Sequence, residues 1–205
     1  MGLPDSLLQK YSLISDQVSR EQVQVILTEL EKVLGQSISG AVVEFGCYIG
    51  TTSLFIRRLL DAHQDDRAFH VYDSFAGLPE KTSADTSPAG MQFQGGELAV
   101  SKKQFMQEFQ KARLRPPVVH KVWFSALSSE DVPEKIAFAF LDGDFYESIY
   151  DSLKLVMPNM QAGGSIVIDD YAREALPGVA KAVHDFSPML ANQVQVSHNL
   201  GIIHL

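Results

Sequence analysis

The chain has a single cysteine, Cys47, among 205 residues. One cysteine excludes an intramolecular disulfide and a cysteine-rich zinc site. It fits a reducing compartment, and a cytoplasmic protein is expected. Long hydrophobic runs are also missing: nothing approaches the roughly eighteen apolar residues of a membrane span. The opening "MGLPDSLLQKYS" has neither the basic start nor the apolar core of a signal peptide. Positive charge is scarce, with 17 Lys and Arg against 25 Asp and Glu and a net charge of −8. The few basic residues are scattered, with short pairs at Arg57-Arg58 and Lys102-Lys103. Nucleic-acid binders carry a basic face, so neither nucleic acid nor membrane is expected as a partner. No internal repeat, low-complexity tract or linker interrupts the chain. Residues 1–205 are therefore read as one domain.

What is present is alternation. Residues 20–34 carry Val23, Ile26, Leu27, Leu30, Val33 and Leu34 at helical spacing, and Gly35 closes the helix. They belong to an N-terminal helical segment, 1–38. "AVVEFGC" (41–47) is a short β-branched run, hence a strand, and residues 51–63 are helical. A second strand, 68–74, leads into a long loop over 75–97, rich in Pro, Gly, Ser and Thr. A loop of that length in a compact domain reads as a lid. Then come a Ser-capped helix (101–113), strands at 117–124 and 136–142, and a helix (146–160) that Pro158 ends. Gly163 and Gly164 turn the chain into a strand at 165–170, and Pro177 opens a helix to 186. "NQVQVS" and "GIIHL" close the chain as two strands too near for a crossover, so they pair antiparallel. The expected fold is α/β: a mostly parallel seven-stranded sheet with helices on both faces and a C-terminal antiparallel hairpin. That is the layout of Rossmann-like methyltransferases.

In such a sheet, ligands sit beyond the carboxyl ends of the strands. The first exit reads "EFGCYIGTTS", an E-x-G-x-x-x-G-x-x-S spacing over Glu44, Gly46, Gly50 and Ser53. Glycine admits a ligand close to the backbone, and Thr51, Thr52 and Ser53 open a helix whose N-terminus favours a carboxylate or phosphate. The spacing is not G-x-G-x-x-G. It disfavours a nicotinamide cofactor and fits the amino-acid end of S-adenosylmethionine. The bland alternative is a tight turn with a plain cap. Asp73 ends the second strand in "YDSF", with Ser74 and Phe75 beside it. It is placed to accept from ribose hydroxyls, or simply to cap the turn. Trp123, Phe124 and Ser125 leave the third strand; they flank an adenine or pack the core. The fourth exit, "LDGDFY", carries Asp142 and Asp144, and the fifth, "IDDY", carries Asp169 and Asp170. Four adjacent carboxylates repel one another and raise each other's pKa unless a hard cation such as Mg²⁺ holds them together. Otherwise two are helix caps and two are loop surface. His184, on a helix after "DDY", is a minor candidate for the site. Cys47 has no neighbouring His or Lys and reads as a small buried residue.

Taken together, "VVEFGCYIGTTS", "VYDSFAGLPE", "FLDGDFYESIYDSL" and "GGSIVIDDY" resemble the macrocin O-methyltransferase family, metal-dependent sugar O-methyltransferases of macrolide and aminocoumarin pathways. The match spans roughly 41–186. The resemblance implies a class I S-adenosylmethionine-dependent fold and a small hydroxylated acceptor, and a homo-oligomer is compatible with it. It implies Mg²⁺ on Asp142, Asp169 and Asp170, and Asp144 as general base. The implied cofactor set is Glu44, Gly46, Tyr48, Gly50, Thr51 and Ser53 at the first exit, Asp73, Ser74 and Phe75 at the second, Trp123, Phe124 and Ser125 at the third, and Asp142 at the fourth. The chain departs from the pattern in having Val122 where the family has Gly before Trp-Phe, and it is short for the family at both ends, which help build the acceptor pocket. A catechol-type O-methyltransferase and a non-catalytic nucleoside-binding protein are the alternative readings.

Overall fold

The computed structural model describes residues 2–91 and 93–205; Met1 and Gln92, the latter within the 75–97 loop, lie outside the described residues. Seven strands form one sheet: β1 (Ala41–Phe45), β2 (Phe69–Asp73), β3 (Val118–Lys121), β4 (Ile136–Leu141), β5 (Met160–Ile168), β6 (Gln195–Ser197) and β7 (Leu200–His204). Their spatial order is β3-β2-β1-β4-β5-β7-β6. The first five are parallel and β7 runs antiparallel to both β5 and β6, as the short final connection requires. The order reverses between β1 and β4. A crevice opens there beyond the strand ends, the usual ligand position in such sheets.

Helices cover both faces. On one lie α1 (Leu3–Lys10), α2 (Arg20–Gly35), α3 (Thr51–Ala62) and α4 (Lys102–Ala112); on the other lie α5 (Tyr146–Val156), α6 (Pro177–Phe186) and α7 (Pro188–Ala191). Helix α2 shows how sequence becomes packing. Ser19 accepts from the Gln22 N–H while Gln22 answers the Ser19 N–H, a reciprocal cap that starts the helix. Val23, Ile26, Leu27 and Leu30 then fall on one stripe and are fully buried. β4 and the second half of β5 are buried on both faces, as central parallel strands are.

Three expectations need correction, and one short helix had not been expected. Strand β3 is shorter than 117–124 because Val122 onward bends into a 3₁₀ turn at Phe124–Ala126. Helix α5 stops at Val156, and Pro158 sits inside a 3₁₀ turn rather than ending an α-helix. Gly163 and Gly164 lie within β5, not before it. The ladder with β4 jumps from Ile136–Met160 to Phe138–Ser165, so β5 bulges there, and Gly163 takes φ +81° to make the bulge. Helix α7, four residues long and starting directly after its N-cap Ser187, had no periodic signal to announce it.

Candidate active site

The strand exits are stitched to one another. One residue past four of the five parallel strands, a backbone N–H donates across to the neighbour: Gly46 to Tyr72 O at 2.8 Å, Asp142 to Phe45 O at 2.7 Å, Asp169 to Leu141 O at 2.9 Å and Val122 to Asp73 O at 2.9 Å. These bonds make a continuous shelf at the crevice. A Cβ on Gly46 would overlap the Asp142 carbonyl oxygen, so the β1 and β4 exits approach this closely only with glycine there. Asp73 braces the same turn. Its Oδ2 accepts from the Cys47 N–H at 2.8 Å and the Tyr48 N–H at 3.3 Å, and its Oδ1 accepts from the Phe75 N–H at 2.7 Å. Tyr48, Phe75, Asp144 and Asp170 all take left-handed backbone, with φ of 48°, 52°, 59° and 55°. Such residues cost free energy and persist where the surroundings over-determine them.

The acids of the site are strongly perturbed. Glu44 is 1% exposed; its Oε2 accepts from Ser53 Oγ, and its Oε1 has no hydrogen-bond partner among the described residues. Burial pushes its carboxyl up to about 8. Burial first, then Asp170 and Asp169, lifts Asp144 to about 8. Burial and Asp170 lift Asp169 to about 7. Asp142 is held well above the ordinary range by burial, then by Asp169, Asp144, Asp170 and Glu44. Burial raises Asp170 too, against the opposing pull of Arg173, whose Nη1 donates to Asp170 Oδ1 at 3.0 Å. Asp169 Oδ1 accepts from Gln22 Nε2 and from the Asp170 N–H, each at 2.9 Å. The four aspartates therefore meet, as their places on adjacent strands imply. Among the described residues, no three His, Cys, Asp or Glu side chains stand in an arrangement that could hold an ion as it is.

A cleft of about 150 Å³ brings together Gly46, Tyr48, Asp73, Ser74, Trp123, Phe124, Ser125, Asp142, Asp144, Asp169 and Asp170. Glu44 and Thr51 line an adjoining cavity of about 20 Å³, with Ser15, Gln17 and Asp142. Three other predicted residues line neither. Gly50, at φ +97°, is the N-cap of α3; Ser53 is buried behind Glu44; the Phe75 ring packs in the core, 5.9 Å from Phe105. Trp123 is 44% exposed, which excludes the core-packing alternative for it, while Phe124 sits edge-on to Phe45 at 5.2 Å. Cys47 is buried, and burial with Asp73 and Glu44 nearby pushes its thiol up, away from nucleophile chemistry. His184 is corrected. It lies exposed on the last turn of α6, beside Asp185 and outside the cleft, because α6 turns its apolar stripe of Val179, Ala182 and Val183 inward. Gln17, Gln22, Asp85 and Arg173 were not anticipated. The contacts of Gln22 with Asp169 and of Asp85 with Tyr146 reach far along the chain; only the S-x-x-Q and T-x-x-D capping patterns around Gln22 and Asp85 marked them locally.

The same architecture occurs in solved methyltransferases. The structure of the O-methyltransferase NovP superposes with a TM-score of 0.79 at 24% identity, covering 91% of this chain and 80% of that one. The calicheamicin methyltransferase CalS11 gives 0.74 at 17% identity, covering 98% and 90%. At these identities the likeness is one of fold, that of a Rossmann-like class I methyltransferase. In sequence, the chain is 36% identical over 164 residues to the 8-demethyl-8-(2,3-dimethoxy-alpha-L-rhamnosyl)-tetracenomycin-C 4'-O-methyltransferase of Streptomyces olivaceus, covering 77% of this chain and 61% of that protein. It is 31% identical over 148 residues to the demethyldecarbamoylnovobiocin O-methyltransferase of Streptomyces niveus, covering 69% and 56%. The chain thus matches less than two thirds of either relative's length. The model of the macrocin-O-methyltransferase (TylF) family matches residues 9–201, and the chain belongs to that family.

Proposed function

We propose that this chain is an S-adenosylmethionine-dependent O-methyltransferase acting on a hydroxyl of a sugar within a glycosylated small molecule. The observation that carries the reading is the convergence of the glycine turn, Asp73 and four carboxylates on one crevice in a chain of this family. The activities for which the relatives are named, 4'-O-methylation of a rhamnosyl-tetracenomycin and O-methylation of demethyldecarbamoylnovobiocin, support the acceptor class.

The residues fit the cofactor. Glu44 has one buried oxygen, Oε1, without a partner among the described residues, and the residue lines a small cavity at the α3 N-terminus, where the ammonium of an amino-acid end would complete it. Asp73 Oδ1 carries one N–H and keeps an open lone pair for a ribose hydroxyl. Trp123 and Phe124 offer the ring surface for adenine. S-adenosylmethionine, when bound, supplies a methyl group on a positively charged sulfur. Loop 75–97 closes the acceptor side as a lid, with Leu78, Pro79 and Phe93 facing the cleft. Alignment of the two reacting atoms is the larger effect in such a transfer.

The donor set also fits a divalent cation in its chemistry: four buried carboxylates meet, and neighbouring acids add to burial in raising Asp142, Asp144 and Asp169, an arrangement that positive charge relieves. Asp142, Asp169 and Asp170 would hold Mg²⁺, which when bound supplies charge that lowers the pKa of an acceptor hydroxyl. Asp144 takes the hydroxyl proton at its carboxylate. Gln22 and Arg173 orient Asp169 and Asp170. The test is methyl transfer from labelled S-adenosylmethionine to phenyl α-L-rhamnoside and to catechol, with Mg²⁺ or with EDTA. Methylation of the rhamnoside alone supports the reading. Methylation of catechol alone replaces it with the phenol-directed one, and S-adenosylhomocysteine binding with no methylation of either supports a nucleoside-binding protein.

A further inference from the structure

Asp85 has no part in the chemistry above, yet it is 0% exposed and lines the cleft. Buried carboxylates are costly unless paired or fully hydrogen-bonded. Among the described residues, no cation donates a hydrogen bond to Asp85. Its Oδ1 accepts from the Tyr146 N–H at 2.7 Å, and its Oδ2 accepts from the Thr82 N–H at 2.9 Å and Thr82 Oγ1 at 2.8 Å. Tyr146 is the first residue of α5, and its N–H is one of the orphan donors of a helix start. Phe145, the N-cap, makes no side-chain cap. A residue 61 positions away supplies what the local sequence does not.

Helix α6 closes on the same point. A Cβ on Gly178 would overlap Asp85 Oδ1, so the first turn of α6 rests there on bare backbone. Nearby, Ser87 Oγ donates to Glu174 O at 2.8 Å. The Arg173 guanidinium lies 5.0 Å from the centre of the Phe93 ring. The loop is thus fastened to the two segments that follow the carboxylate-bearing strands. Asp144 is two residues before Tyr146, in a left-handed conformation within a turn closed by Phe145 N–H to Gly143 O at 2.6 Å. That turn is fixed on one side by Asp142 N–H to Phe45 O, and on the other by the Asp85 bond.

We propose that Asp85 is a positioning residue: it latches segment 82–90 onto the first turn of α5 and thereby holds Asp144 in its strained turn. The catalytic consequence rests on the methyl-transfer reading; the latch does not. Hydrogen exchange at the Tyr146 amide, S-adenosylhomocysteine affinity and turnover of phenyl α-L-rhamnoside test it in the full chain. In Asp85→Ala, exchange at Tyr146 and over 82–90 should rise at least tenfold more than in α2 or β1. S-adenosylhomocysteine affinity and the KM for S-adenosylmethionine should stay within twofold, while kcat falls ten- to a hundredfold. Asp85→Asn, which keeps an oxygen for Tyr146, should restore most of the protection and turnover. Should Asp85→Ala fail to fold, Thr82→Val, which removes one donor, should give a smaller, local rise. The proposal is overturned by a Tyr146 amide as protected as in the wild type, by a uniform rise across the chain, by Asn performing no better than Ala, or by a Thr82→Val variant with unchanged exchange. A wild type that leaves the rhamnoside unmethylated counts against the acceptor reading, and the exchange measurements then decide the latch alone.

Discussion

Replacing Glu44 with glutamine should make the ligand-free protein more stable and the cofactor bind less well. Glu44 is fully buried, has one oxygen without a partner among the described residues, and titrates near 8 instead of 4.5. In the unfolded chain it ionises near its ordinary value. Between the two values the native state therefore binds more protons than the unfolded state, and stability falls as pH rises. The loss begins near the lower value and is complete above the higher one. A shift of this size, at about 1.4 kcal/mol per pH unit, sets an upper bound of roughly 5 kcal/mol. Water entry and local relaxation bring the observable effect to a few kcal/mol. The amide keeps the shape and the Ser53 contact and carries no charge, so Glu44→Gln should match the wild type near pH 5 and exceed it at pH 8.5. Urea unfolding at both pH values, without ligand, gives the comparison. Because Asp142, Asp144 and Asp169 contribute to the same slope, the quantity to read is wild type minus variant. In parallel, S-adenosylhomocysteine affinity should fall by about 1.5–3 kcal/mol, the range for a hydrogen bond to a charged group. Equal pH slopes in the two proteins would refute the idea that Glu44 is an uncompensated buried acid awaiting a cation.

Two further outcomes are expected. Asp142→Asn, Asp169→Asn or Asp170→Asn should each weaken Mg²⁺ binding in calorimetry, whereas Asp144→Asn should keep the metal and lose about 10²–10⁴ in kcat; wild-type turnover that survives EDTA would remove the metal from the mechanism. Asp73→Asn should weaken S-adenosylhomocysteine by about 1–3 kcal/mol and speed exchange at the Cys47 amide, since the carboxylate braces the turn and, on the proposed reading, also meets the ribose; unchanged affinity would leave it only the brace.

Much of this molecule was legible because its signals are local. The alternation of β-branched runs with amphipathic stretches is set by burial on a period, and it placed the sheet, the two helical layers and the hairpin. The acids at the strand exits were visible for the same reason: a charge ending an apolar run is conspicuous. What was not legible is set by distance. Gln22 caps its own helix and also reaches Asp169, 147 positions on. Nothing in residues 19–22 reveals the second partner. Gly163 and Gly164 looked like a turn because glycine pairs usually make one, and only the β4 register shows that they build a bulge within β5. Phe75 lies two residues after Asp73, but its left-handed backbone sends the ring into the core against Phe105 and leaves only its N–H at Asp73. Neighbours in sequence at a turn need not share a face.

The cost concentrated at these exits is itself an argument about function. Four non-glycine residues there take left-handed backbone, at roughly 1–2 kcal/mol each, and five acids sit at pKa values that burial has raised. A sheet selected only for stability would carry glycine or asparagine at such turns and apolar residues at Glu44 and Asp142. The backbone ladder that continues past four of the parallel strands, from Val122 to Asp169, is what lets the fold tolerate this arrangement, because it fixes the turns independently of the side chains they carry. The side chains are thereby free to be chosen for a ligand. The sign of their charge says which kind: a positively charged centre. The arrangement is destabilising when empty and relieved when filled. Added S-adenosylhomocysteine and Mg²⁺ should accordingly stabilise the protein more at pH 8 than at pH 5, and an equal effect at the two would count against the charge argument.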